Sequence, residues 1–252
     1  MRESVDPSAP AAELHQVTKV YRRRHLGKLT VTPGVENVSL TIHTGEVFGL
    51  LGLNGAGKTT TIKLLLGLLF PTQGQVHLFG TVLPDLAVFK RIGYLPELPS
   101  LYKYLTLSEL LELYGRLSNM SEPQIRERSQ QVIQEVGLDS HTQKRLGDYS
   151  KGMLQRAGVA QALLHDPELL VFDEPVTGLD PLGLRDMRQR LLKLNEKGKT
   201  IFFSSHIISE AEKLCHRIGI MHQGRLARVL TRNEWAGQEG KLETLFLETV
   251  HA

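Results

Sequence analysis

The sequence predicts an α/β fold with a mostly parallel sheet and a helical subdomain. Three observations predict it. A glycine-rich loop separates a short apolar run from an apolar helical pattern within residues 50–69. Short continuous apolar runs then alternate with amphipathic helical patterns, as parallel strands and their crossover helices do. Residues 98–165 interrupt that alternation with helical patterning alone.

Length and composition permit this fold and exclude others. With 252 residues and 41% hydrophobic content, the chain can bury a core, as one domain or a domain with a subdomain. The apolar run at 64–70 is far short of the ~20 residues a membrane-spanning helix needs, and the first residues form no apolar signal segment. The chain itself is therefore expected in the cytoplasm. Its one cysteine, Cys215, excludes an internal disulfide framework and reads as packing, and no His/Cys cluster has zinc-ligand spacing. The net charge of +3 comes from the first 30 residues, where Arg2, Lys19, Arg22, Arg23, Arg24 and Lys28 outweigh Glu3, Asp6 and Glu13. The remainder is neutral, which argues against a nucleic-acid partner, because phosphate tracking needs cations clustered along a face. Arg22 to Arg24 read as a solvated loop, with contact to nucleotide phosphates or anionic lipid heads as the competing reading.

The elements follow in order. Residues 1–12, with Pro7, Pro10 and no periodicity, are expected to be a disordered tail. Val38, Leu40 and Ile42 alternate with polar residues as in a half-buried strand, and Gly45-Glu46 turns the chain into the strand of Val47, Phe48, Gly49, Leu50 and Leu51. Ile62, Leu65, Leu66 and Leu69 recur at helical spacing, and Val76 and Leu78 mark another strand. Thr106 and Glu109 form a capping-box signature ahead of Leu110, Leu113, Tyr114 and Leu117. A second helix follows Pro123 and ends near Gly137. The run at 169–172 suits a central parallel strand, residues 181–195 a helix stopped near Gly198, and residues 200–203 the next strand.

The chemistry-bearing residues fall at the ends of these strands. Gly52, Asn54, Gly55, Ala56, Gly57, Lys58, Thr59 and Thr60 have the spacing of a phosphate loop. Glycines let backbone N–H groups curl around phosphate oxygens, and the following helix presents its positive end to the anion. Lys58 is placed to reach the β- and γ-phosphates, and the Thr59 hydroxyl to ligate Mg2+. The strand at 169–172 runs directly into Asp173 and Glu174. Asp173 suits holding Mg2+ indirectly, through the ion's bound water or its ligands, while Glu174 can orient and deprotonate a water attacking the γ-phosphate. A strand-end cap is the plain alternative for this pair. His206 ends another buried strand, where it can donate a hydrogen bond to the γ-phosphate, although a lone histidine is more often structural. Ser150 can cap a helix starting near Lys151, and a capped helix start beside Gly152 is a weak anion-site signal until its separation from Asp173 is considered.

With these motifs in place the chain resembles the ATPase subunit of ABC transporters over residues 13–225, leaving 226–252 as a short C-terminal extension. Six motifs stand in that family's order: Tyr21, the loop at 52–59, the signature at 149–153, the pair Asp173-Glu174, Gly178-Leu179-Asp180, and His206. The resemblance implies a P-loop NTPase (RecA-like) core with an antiparallel β part near the N-terminus and a helical subdomain at about 98–165. It implies that Tyr21 stacks on adenine and that Asp180 belongs to a loop contacting a second protomer. Two such domains, in a homodimer or heterodimer, would sandwich two ATP molecules, Ser150 and Gly152 of one completing the γ-phosphate site of the other.

Two departures qualify the resemblance. The family's common signature is Leu-Ser-Gly-Gly-Gln, and here Lys151 replaces the first glycine and Met153 the glutamine. The usual glutamine of the metal-sensing loop is Glu97, a carboxylate that can still meet Mg2+. Both changes, and residues 242–247, resemble the branch whose ATPase and membrane permease are separate chains exporting drugs, lipids or polysaccharides. An amphipathic helix is the plain reading of 242–247. A peripheral ATPase on the cytoplasmic face of the membrane is thus implied. The competing readings are a soluble ABC ATPase acting on ribosomes or DNA, and a phosphate-loop kinase; neither is coupled to transport.

Overall fold

A computed structural model describes residues 10–25 and 28–251. They divide into two compact units, Met1–Phe89 with Phe202–Ala252, and Lys90–Ile201.

The first unit opens with a long antiparallel ribbon, β1 (Ala12–His25) and β2 (Lys28–Ile42), followed by β3 (Val47–Gly52), α1 (Lys58–Leu65), β4 (Gln73–Leu78) and β5 (Thr81–Val82). Four of these strands form one antiparallel sheet in the order β2-β1-β4-β5. The expected loop at Arg22 to Arg24 is instead strand: Arg22 pairs with Val31, Arg23 with Thr30 and Arg24 with Leu29. Hydrogen bonding between backbones needs no apolar period, so a ribbon with exposed Arg22 and Arg24 leaves no alternation for sequence reading to detect. The expected tail lies outside the described residues as far as residue 9. Its end does not: Ala11 and Ala12 are fully buried, and Ala11 N–H donates to Ile42 O at 2.9 Å.

The second unit carries β6 (Ile92–Leu95), α2 (Leu107–Leu117), α3 (Glu122–Val136), α4 (Lys151–Leu163), β7 (Leu169–Asp173) and α5 (Pro181–Glu196). β6 and β7 are parallel, with Ile92 opposite Leu169 and Leu95 opposite Phe172. The capping box at α2 is complete, since Glu109 accepts from Thr106 N–H at 2.8 Å while Glu109 N–H donates to Thr106 Oγ1 at 3.3 Å. The Thr106 N–H and, at 3.1 Å, the Thr106 hydroxyl both donate to the Glu109 carboxylate and hold it below its ordinary range. α3 stops where Gly137 turns left-handed at φ 61°. Leu107, Leu110, Leu111, Ile125, Val132, Val136 and Ala157 form the helical core, each fully burying Leu or Ile contributing about 1.5–3 kcal/mol.

β8 (Thr200–Ser205) returns the chain to the first unit, which it enters at Phe202, and α6 (Ile208–Leu214), β9 (Arg217–His222), β10 (Arg225–Thr231) and α7 (Lys241–His251) complete it. Its second sheet runs β10-β9-β3-β8. β3 lies parallel to β9, Phe48 opposite Arg217 and Gly52 opposite Met221, and every residue of β3 is buried. Continuous apolar strands are what a sheet covered on both faces requires. Phe48 and Phe202 meet with ring centroids 6.0 Å apart. Cys215 is packing, as expected, fully buried beside Gly49, and burial pushes its thiol pKa up. α7 buries Leu242, Leu245 and Phe246, which makes residues 242–247 part of an amphipathic helix. Among the described residues no helix is long and apolar enough to cross a membrane.

Candidate active site

The loop at 52–60 is held from within the first unit. β3 delivers Gly52 to the sheet edge, where a Cβ would lie 2.7 Å from Met221 O, so packing as well as any ligand demands glycine there. Gly57 turns into α1 at φ 105°, with Gly34 O and Val35 Cγ1 each 3.0 Å from where a Cβ would stand. Only glycine meets both conditions. Ala56 O accepts from Gly224 N–H at 3.0 Å, and Thr61 Oγ1 donates to Gly57 O at 3.0 Å, which ties the loop to the turn after β9 and to α1.

Lys58 opens α1, buried, with its ammonium donating to Gly52 O at 2.8 Å and Leu53 O at 3.3 Å. A buried ammonium held on carbonyl oxygens is a pre-positioned hydrogen-bond donor for an incoming anion. Asn54, Gly55 and Thr59 are exposed around it. Tyr21, on β1, presents its ring at 37% exposure while its hydroxyl lies 3.2 Å from Thr60 Oγ1. Gly34 permits this placement, because a Cβ there would fall 2.6 Å from the Tyr21 ring. His206 stands exposed just beyond β8, and Ser205 Oγ accepts from Ile207 N–H at 2.9 Å to turn the chain into α6.

The second unit holds the carboxylates and the signature. β7 ends on Asp173, and Glu174 follows it; they are 3% and 6% exposed. The parallel register that sets Leu95 opposite Phe172 carries Glu97, exposed two residues past the end of β6, to the same strand edge. Carboxylates at the carboxyl end of parallel strands stand where ligands of such sheets bind. Ser150 caps α4, its Oγ accepting from Met153 N–H at 3.3 Å, and Asp180 caps α5, its Oδ1 accepting from Gly183 N–H at 2.7 Å. Ser150, Gly152 and Asp180 line one cavity of about 480 Å3 together with Lys151, Gly178 and Leu179.

The ABC transporter family matches over residues 35–177, more than half of the chain. The chain belongs to the ABC transporter family. It is 48% identical over 223 residues to an uncharacterized ABC transporter ATP-binding protein of Nostoc sp., covering 88% of this chain and 66% of that one. It is 43% identical over 195 residues to the bacitracin transport ATP-binding protein BcrA of Bacillus licheniformis, covering 76% and 63% respectively. The chain thus spans somewhat under two thirds of the length of these curated relatives. Among solved structures, a dimeric ATP-binding cassette in a post-hydrolysis state bound to ADP and Pi is similar at TM-score 0.79 and 28% identity, over 88% of this chain and 98% of that one.

Two features of this ABC chain escape sequence reading. Glu174 takes a left-handed backbone at φ 50°, and Thr177 Oγ1 donates to its Oε2 at 3.0 Å. A non-glycine residue there costs about 1–3 kcal/mol, a strain typical of residues whose side chain must be aimed. Tyr94, opposite Val171 on β6, has its pKa pushed up to about 12 by burial and by the charge of Asp173, so its phenol remains a proton donor beside the acidic edge. The Tyr94–Asp173 proximity depends on the folded register, which no local motif signals, and a glutamate gives no hint of a left-handed backbone.

Proposed function

We propose that the chain binds and hydrolyses ATP with Mg2+, pairing two cassettes around two nucleotides to drive a separate membrane permease in export. The observation that carries this reading is the phosphate loop with a buried lysine at its core. Lys58 exchanges the carbonyls of Gly52 and Leu53 for phosphate oxygens, while the N–H groups of Gly55, Gly57 and Thr60 surround them. Tyr21 offers its ring to adenine, braced by Thr60.

Hard oxygen donors are what Mg2+ takes, and Thr59 and Asp173 supply a hydroxyl and a carboxylate, with Glu97 as a further carboxylate. Among the described residues no group of three His, Cys, Asp or Glu is arranged for a metal, which suits an ion whose other ligands are nucleotide oxygens and water. When bound, the ion would neutralise charge developing on the transferred phosphoryl group. Glu174, aimed by its backbone and by Thr177, takes a proton from the attacking water as the water oxygen bonds to the γ-phosphorus and the bond to the ADP oxygen breaks. His206 donates to a γ-phosphate oxygen. Ser150 and Gly152 of one cassette face the γ-phosphate held by the other, and Asp180 belongs to the loop between them. The likeness to a bacitracin transport protein supports transport, and the departures at Glu97, Lys151 and Met153 support the export branch. Peripheral membrane association through the permease is part of the same reading.

Lys58→Ala tests it. ATP turnover and binding are expected to fall to background, because the charge at the centre of the phosphate site is gone, and unchanged turnover contradicts the proposal.

A further inference from the structure

Lys151 stands where its charge is unfavourable. It is the first residue of α4, next to the cap Ser150, and the first turn of α4 contains no acidic residue. A cation at a helix N-terminus opposes the macrodipole by about 0.3–1 kcal/mol. Lys151 is exposed, and no hydrogen bond or ion pair with the described residues neutralises it. Such a local conflict marks a place where something other than helix stability decides the residue.

The side chain lies across Gly178. A Cβ at 178 would collide with Lys151 Nζ and stand 3.1 Å from Cε and 3.7 Å from Cδ, and Gly178 itself is left-handed at φ 70°. The neighbouring pair is complementary: a Cβ at Gly152 would meet only Leu179 Cδ2, at 3.7 Å. Two consecutive residues at the start of α4 thus lie against two consecutive residues of the turn after β7. That turn is tied to Glu174 by short-range bonds, Thr177 N–H to Glu174 O at 3.2 Å and Leu179 N–H to Val176 O at 3.3 Å, and it ends on the cap Asp180.

We infer that Lys151 is a positioning residue: its side chain, laid over Gly178, clamps the 174–180 turn to the start of α4, so that displacing either one displaces the other. Lysine suits this task because its four-carbon stem is long enough to bring the side-chain end from the start of α4 onto Gly178, the ammonium lying nearest. Its consequence for catalysis rests on the reading of Glu174 as the base; the clamp itself does not.

Hydrogen exchange of the nucleotide-free chain tests the clamp directly. Lys151→Ala removes the stem and relieves the conflict with the dipole, so a lysine with a merely local role would leave the turn unchanged and protect α4 slightly better. The clamp instead predicts exchange at the Leu179 amide raised by about threefold or more, with the interior amides of α4 no faster than before. Gly178→Ala provides the second arm. Its left-handed strain persists in any background, and in the parent the added methyl also pushes the flexible lysine end off the turn, so the clamp predicts that it loosens the turn more in the parent than in the Lys151→Ala chain. Unchanged exchange in Lys151→Ala, or equal effects of Gly178→Ala in both backgrounds, overturns the inference. ATP turnover measured on the same chains separates the two ideas: an inactive parent would remove the proposed ATPase while leaving the exchange result to decide the clamp. With an active parent, Lys151→Ala is expected to lower kcat while leaving KM for ATP unchanged.

Discussion

Thr177 holds Glu174 from three residues away: its hydroxyl donates to Oε2 at 3.0 Å while its amide donates to Glu174 O at 3.2 Å. Both bonds close the turn that the left-handed backbone of Glu174 begins. The carboxylate is buried after β7, and the Thr177 hydroxyl is one of the groups that set its direction.

In the proposed mechanism this relationship orients the base. Thr177→Val keeps the shape of the side chain and removes the donor, and a hydrogen bond to a charged group contributes about 1.5–3 kcal/mol. Steady-state kinetics are expected to show kcat reduced about tenfold or more with KM for ATP unchanged. A raised KM with normal kcat would mean that Thr177 serves binding instead.

Tyr21 separates ring from hydroxyl. If the ring stacks on adenine, Tyr21→Phe keeps the stacking and loses only the contact with Thr60, so nucleotide affinity should change little. Tyr21→Ala removes about 1–3 kcal/mol of stacking and should weaken binding tenfold or more, read by titration with a fluorescent nucleotide.

How much of this could be read in advance depends on the range of each signal. The phosphate loop was legible because glycines at fixed spacing between an apolar strand and an apolar helix are a local requirement, later met by Gly52 against Met221 O and Gly57 at φ 105°. The caps at Thr106 and Ser150 were legible for the same reason, since donor and acceptor sit three residues apart. Arg22 to Arg24 were not, because strand pairing with Val31, Thr30 and Leu29 leaves no apolar trace. Ala11 and Ala12 were not, because their burial is supplied by distant residues, and Ala11 hydrogen-bonds to Ile42. The left-handed Glu174 is hidden by its type, acidic residues being ordinary in extended backbone, and Lys151 over Gly178 joins residues whose nearness only the fold creates.

Stability should depend on pH through His165. Its Nε2 donates to Ile92 O at 2.9 Å in a largely buried position, and burial, outweighing that bond, lowers the imidazole pKa below the ordinary 6.5. The unfolded chain therefore takes up the proton first as pH falls, and the stability present above about 6.5 is lost as pH drops through that value toward the folded pKa. Thermal unfolding between about pH 7 and pH 5.5 should show a falling midpoint, with a shallower slope in His165→Gln. Equal slopes would place the pH dependence elsewhere.

The central proposal is a composite site built by two cassettes around ATP, and Glu174→Gln measures it most directly. This substitution retains the shape of the side chain and its contact with Thr177 but cannot accept the proton from water, so bound ATP should persist. Light scattering with and without Mg-ATP is expected to show the mass doubling only when nucleotide is present. A chain that binds ATP yet remains at monomer mass would contradict a dimer formed by the cassettes themselves.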